Sequence, residues 1–116
     1  MGADDIVVTE KGVDSVQIVR EMTNGKGVDL VVEFAGSTEA GRQSLEMTRR
    51  GGRVVFGGAT NPGCDLSVDM SVIVRGQLNV FGSVANPHSI SRRANILMQR
   101  GLVDVMPLVT HQLNVE

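Results

Sequence analysis

Tryptophan and tyrosine are absent from this 116-residue chain, which has three phenylalanines and a single cysteine. With so few aromatic rings, single-stranded nucleic acid has almost nothing to stack on. A lone cysteine, Cys64, excludes an intrachain disulfide framework and suits a reducing, cytoplasmic compartment. Excess charge is also lacking. A formal net charge of −2 at pH 7 gives no field for a polyanion, so nucleic acid is not an expected partner. Apolar runs last only a few residues, far short of the roughly 20 that a membrane span needs. The first five residues, Met-Gly-Ala-Asp-Asp, place no basic region before an apolar run, so no signal peptide is expected.

What is present is the material of a globular core. Hydrophobic residues make up 41% of the chain, alongside 14 glycines, which excludes a wholly disordered polymer. The length fits one domain, residues 1–116.

Periodicity predicts alternating strands and helices. Asp5–Thr9 is a short β-rich run closed by Lys11-Gly12. Val16, Ile18, Val19 and Met22 fall mostly on one helical face, with Asp14 as the cap and Gln17 in the capping-box position. Asn24-Gly25-Lys26-Gly27 ends that helix through a residue at positive φ. Val28–Gly36 is almost continuously apolar, as in a strand covered on both faces of a parallel sheet. Ser37 or Thr38 caps a second helix running to about Arg50, where Arg49-Arg50 suits the helix dipole and Gly51-Gly52 stops it. Arg53–Ala59 is a further buried-type strand. Residues 60–77 read as extension to Val68, then a helical turn from Met70 to Val74 or Arg75. Leu78–Val84 is the next strand, and Asn86-Pro87 starts a helix with Ile90, Ala94, Leu97 and Met98 at i, i+4, i+7 and i+8. Gly101 ends it, and Leu108–Leu113 is a last strand candidate. Such alternation predicts α/β architecture on a parallel sheet with right-handed crossovers.

In an open parallel sheet, ligands bind at the carboxyl ends of the strands. Those ends carry small residues three times over: Phe34-Ala35-Gly36-Ser37, Phe56-Gly57-Gly58-Ala59 and Phe81-Gly82-Ser83. Missing side chains would let a flat ligand approach the backbone, although any one glycine could simply end its strand. Glu33, inside the second strand, is either a perturbed general base or, the favoured reading, a carboxylate at the sheet edge or bonded to neighbouring backbone. Cys64, His88 and His111 could supply three zinc ligands by count, but their spacings match no compact motif, so no metal site is expected. Met70, Met98 and Met106 read as core fillers.

The strings GKGVDLVVEFAGS, RRGGRVVFGGAT, QLNVFGS and LVTHQ, in this order, resemble the medium-chain dehydrogenase/reductase superfamily, in its zinc-dependent alcohol, polyol and threonine dehydrogenase branch. The resemblance covers nearly the whole chain and implies the later half of an NAD(P)-binding domain. The fold it implies is a partial doubly wound, Rossmann-like parallel sheet lacking its first βαβ unit. By the same resemblance, Phe34, Ala35 and Gly36 would line the adenosine and ribose wall, with Ser37 at its rim. Phe56, Gly57 and Gly58 would border the nicotinamide, the Phe56 carbonyl accepting from its carboxamide. Asn79 and Phe81 would complete that clamp through a backbone carbonyl and N–H.

The family's G-x-G-x-x-G phosphate fingerprint does not occur in this sequence. Neither do the cysteine-rich zinc lobe and the catalytic zinc ligands that the resemblance implies for a full-length member. The expectations are therefore no catalytic residue and no zinc in this chain, weak or absent NAD or NADP binding by the chain alone, and no turnover. In the doubly wound order 3-2-1-4-5-6, a chain starting at strand 3 leaves Val28–Gly36 with an unpaired edge. An apolar strand at an edge predicts a homo-oligomer through that edge, or a non-catalytic module that binds a partner there.

Overall fold

The computed structural model describes residues 2–10, 12–58, 65–84 and 89–114. Two compact units emerge, Asp5–Ser83 and a second made of Met1–Asp4 with Val84–Glu116.

In the larger unit, helix α1 spans Ser15–Met22. Asp14 caps it as expected, its side chain accepting the Gln17 backbone N–H at 3.0 Å. Asn24 (φ 53°) and Gly25 (φ 78°) turn the chain at its end. The Gly25 N–H closes on the Arg20 carbonyl at 2.7 Å. Strand β1 follows at Val28–Glu33, helix α2 at Thr38–Met47 and strand β2 at Thr48–Phe56. Helix α3 is Met70–Gly76 and strand β3 is Asn79–Gly82.

The three strands form one sheet in the order β1-β2-β3, both pairings parallel. Register partners include Val31 with Val54, Glu33 with Phe56, and Val54 with Val80. Between Val28 and Leu30 the register with β2 shifts, because Arg49–Gly52 are taken up as an irregularity at the entry of β2. Gly51 sits there at φ 71°, a left-handed conformation that favours glycine.

Side chains alternate across a strand, and register partners share a face. One face carries Val31, Glu33, Val54 and Phe56. It is the buried one, with Val54 fully covered and Leu45 of α2 only 2% exposed. The other face carries Leu30, Val32, Phe34, Val55 and Phe81. Leu30 and Val32 are half-exposed and Phe34 is 74% exposed.

In the smaller unit, α4 spans Ser89–Gln99 and a single 3₁₀ turn spans Met106–Leu108. Gly101 (φ 67°) ends α4, as the sequence predicts, with its N–H on the Met98 carbonyl at 2.9 Å and Leu102 N–H on Leu97 at 3.0 Å. The expected stripe of Ile90, Leu97 and Met98 lies on this helix but stays exposed.

Several boundaries differ from expectation. Asp5–Thr9 forms no strand: a β-rich run needs a ladder partner, and none pairs with it among the described residues. The second helix stops at Met47, and Arg49 and Arg50 belong to β2. Arg49 therefore serves an ion pair with Asp29 across the strands rather than a helix dipole. Leu108–Leu113 is not a strand: Pro107 sits in the 3₁₀ turn and the residues after it are irregular and exposed. Met70 and Met106 are about two-thirds exposed and Met98 over a third, so none of them fills the core. Ala59 and the Asn86-Pro87 helix start lie outside the described residues.

Candidate functional site

At the carboxyl ends of β1 and β2 the backbone is drawn together. The Glu33 carbonyl accepts both the Gly57 N–H (2.8 Å) and the Gly58 N–H (2.9 Å). The Glu33 side chain, 6% exposed, turns back so that Oε1 accepts the Gly36 N–H at 2.6 Å. The favoured sequence reading of Glu33, a carboxylate bonded to neighbouring backbone, is thus what the structure shows.

The glycines here make room for protein. A Cβ on Gly58 would collide with the Gly36 N and come to 2.7 Å from its Cα and 2.8 Å from Glu33 Oε2. A Cβ on Gly57 would meet the Phe34 ring at 2.7 Å. The expectation that these missing side chains open the backbone to a flat ligand is corrected at both positions, because the gaps are filled from within. At Gly82 the space a Cβ would take is open.

Phe34, Ala35, Gly36, Ser37, Phe56, Gly57 and Gly58 therefore gather at one edge of the sheet. Gly36 has φ 68°, which turns the chain from β1 into α2. Ser37 caps α2, its hydroxyl accepting the Ala40 N–H at 3.1 Å. The Phe56 carbonyl accepts the Ser83 N–H at 2.8 Å, which leaves one of its two lone pairs. Asn79 is not brought to this edge. It starts β3 opposite Arg53, about 10 Å along the strand from Gly82, with its side-chain amide 3.4 Å from the Gly52 carbonyl. Phe81 pairs with Val55, and its ring lies 5.7 Å from the Arg53 guanidinium carbon, a cation–π contact.

Two hollows flank the edge. One, of about 190 Å³, lies over Glu33, Ser37, Thr38, Phe56, Gly58 and Leu66. The other, of about 490 Å³, is bordered by Ala35, Ser37, Thr9, Glu10 and Gln43. Only the second reaches the size usual for small-molecule sites. At its border Glu39 is tied to Arg42, whose guanidinium donates to it at 2.6 Å and holds its carboxyl below the ordinary carboxylate range. Arg42 also reaches Glu46, and both acids hold its guanidinium in the charged form.

Among the described residues no cluster of three metal-ligating side chains forms. His111 lies in the smaller unit and contacts the Thr110 hydroxyl. Cys64 and His88 lie outside the described residues.

Fold and site together define an α/β chain built on a partial, Rossmann-like parallel sheet. The chain belongs to the zinc-binding dehydrogenase family, whose family model matches residues 1–100. It is similar to L-threonine 3-dehydrogenase of Bacillus licheniformis, 38% identical over 120 residues that take in 100% of this chain and 33% of that protein. An alcohol dehydrogenase of Thermus sp. ATN1 superposes with a TM-score of 0.77 at 28% identity, over 93% of this chain and 31% of that one. A zinc-binding dehydrogenase of Sinorhizobium meliloti 1021, solved bound to NADP, matches with a TM-score of 0.67 at 33% identity, over 73% of this chain and 25% of that one. The chain spans about a third of the length of the curated relatives it matches. Among the described residues no helix is long and apolar enough to cross a membrane.

Proposed function

We propose that this chain is the later part of a nicotinamide-nucleotide-holding domain of a zinc-type alcohol or polyol dehydrogenase, and that residues 1–116 act as one such partial domain. The observation that carries this reading is the joint edge of β1 and β2. There Glu33 binds the Gly36 turn and the Gly57–Gly58 exit into one surface at the carboxyl end of a parallel sheet. In that reading Ala35 and Ser37 border the adenosine half in the larger hollow. The free lone pair of the Phe56 carbonyl and the backbone of Asn79 and Phe81 on β3 serve the carboxamide. The nicotinamide, when bound, supplies the hydride chemistry; this chain's residues hold and orient it. A phosphate-binding glycine loop is not among these residues, so binding of NAD or NADP to the chain alone is weak. Zinc chemistry belongs to residues beyond these.

Calorimetric titration with NAD and with NADP tests this. The expected result is weak binding and no alcohol oxidation, with or without added zinc. Submicromolar affinity, or zinc-dependent turnover by the 116-residue chain, would contradict it.

A second reading has its own observation. The half-exposed Leu30 and Val32 lie on β1, an outer strand of the sheet, and the exposed Phe34 follows directly after it. An apolar edge strand of this kind associates, so a homo-oligomer through this edge is proposed alongside the cofactor role, in a cytoplasmic setting. A monodisperse monomer at micromolar concentration in light scattering would oppose it.

A further inference from the structure

Glu33 is a costly residue to bury. It is 6% exposed, and no cation pairs with it among the described residues. A buried carboxylate is stabilised only by the hydrogen bonds it receives, and an apolar side chain of similar size would serve packing better. Its bonds go to loops. Oε1 takes the Gly36 N–H, and the residue's own carbonyl takes those of Gly57 and Gly58. The space a Cβ on Gly58 would need is taken by the Gly36 backbone and Glu33 Oε2, so the two loops lie closely apposed with the carboxylate beside them. The carboxylate also sits before the N-terminus of α2, where a negative charge is favoured.

We infer that Glu33 is a positioning residue that couples the adenosine-side turn at Gly36 to the nicotinamide-side exit at Gly57–Gly58, so that the two parts of the cofactor edge move as one. The inference rests on the cofactor-holding reading for its purpose, but its mechanical content can be tested separately.

The test uses the full ¹⁵N-labelled chain and the variants Glu33→Ala, Glu33→Gln and Glu33→Asp. Amide hydrogen exchange is read at Gly36, Gly58 and, as the core reference, Val54. In Glu33→Ala, exchange at Gly36 and Gly58 should quicken together by about tenfold or more, while Val54 holds. Glu33→Gln keeps an acceptor oxygen at the same reach and should restore protection. Glu33→Asp, one methylene shorter, should not. NAD is then titrated into each variant. In the wild type the 34–37 and 57–58 resonances should follow one curve, and in Glu33→Ala the 57–58 response should be lost. Unchanged exchange at Gly58 in Glu33→Ala overturns the inference. So does a parallel rise at Val54 with no rescue by glutamine. If NAD moves neither loop in the wild type while the exchange results hold, the cofactor reading fails and the coupling stands.

Discussion

The sheet has two unlike faces although the same strands build both. On one, Val54 is fully buried, Leu45 of α2 seals it, and Glu33 is fixed beneath the loops. On the other, Leu30 and Val32 are half-exposed and the Phe34 ring lies open across Gly57. The valine-rich sequence of β1 is that of a strand meant to be covered on both sides. The covered face explains how these residues fold. On the bare one, folding leaves the apolar side chains of Leu30, Val32 and Phe34 exposed. The site lies where the two meet, at the carboxyl ends, with its donors and acceptors mostly in the backbone.

Breaking the covered face should have the largest effect. Leu45→Ala should cost about 2–5 kcal/mol in urea denaturation, whereas Leu30→Ala on the open face should cost well under that. Equal losses would erase the distinction between the faces. Next comes the seam between them. Gly58→Ala forces a Cβ onto the Gly36 backbone and should cost about 1–3 kcal/mol while shifting the Gly36 amide resonance. A neutral substitution would mean the two loops do not touch. Val32→Lys should change stability by only about 0.5 kcal/mol yet lower the mass seen in light scattering, because a charge blocks edge association. The smallest effect is electrostatic. Asp69, capping α3 through the Ser71 N–H, and Glu39, beside Arg42, both have carboxyls held below their ordinary range. Such groups contribute stability that is present above the unfolded-state carboxylate range and is lost as pH falls through their lowered folded values. Acid denaturation of Asp69→Asn should show a shallower loss of stability in that window.

Much of this was legible in the sequence because local physics decided it. The Asp14 cap, the left-handed turn at Asn24-Gly25, the Gly101 stop and the three parallel strands each follow from a pattern a few residues long. Failures came where a partner far along the chain decided. Asp5–Thr9 has strand composition but no strand beside it among the described residues. Arg49 left the helix for Asp29, twenty residues away. Met70 and Met106 have core character but stay about two-thirds exposed. At the candidate site, the recurring small residues marked the carboxyl ends of the strands, but their purpose could not be read from composition. A gap filled by a ligand and a gap filled by Phe34 or Gly36 have the same sequence. The position of Asn79 was illegible for a related reason, since pairing register, which local sequence does not fix, sets its distance from the strand ends.

The central claim is that the strand ends of residues 34–37 and 56–58 are one side of a nicotinamide-nucleotide site. Titration of the ¹⁵N-labelled chain with NAD, followed residue by residue, tests it most directly. The account predicts weak, fast-exchange shifts confined to those two stretches and the end of β3. Shifts confined to other parts of the chain, or none up to the solubility of the nucleotide, would contradict it.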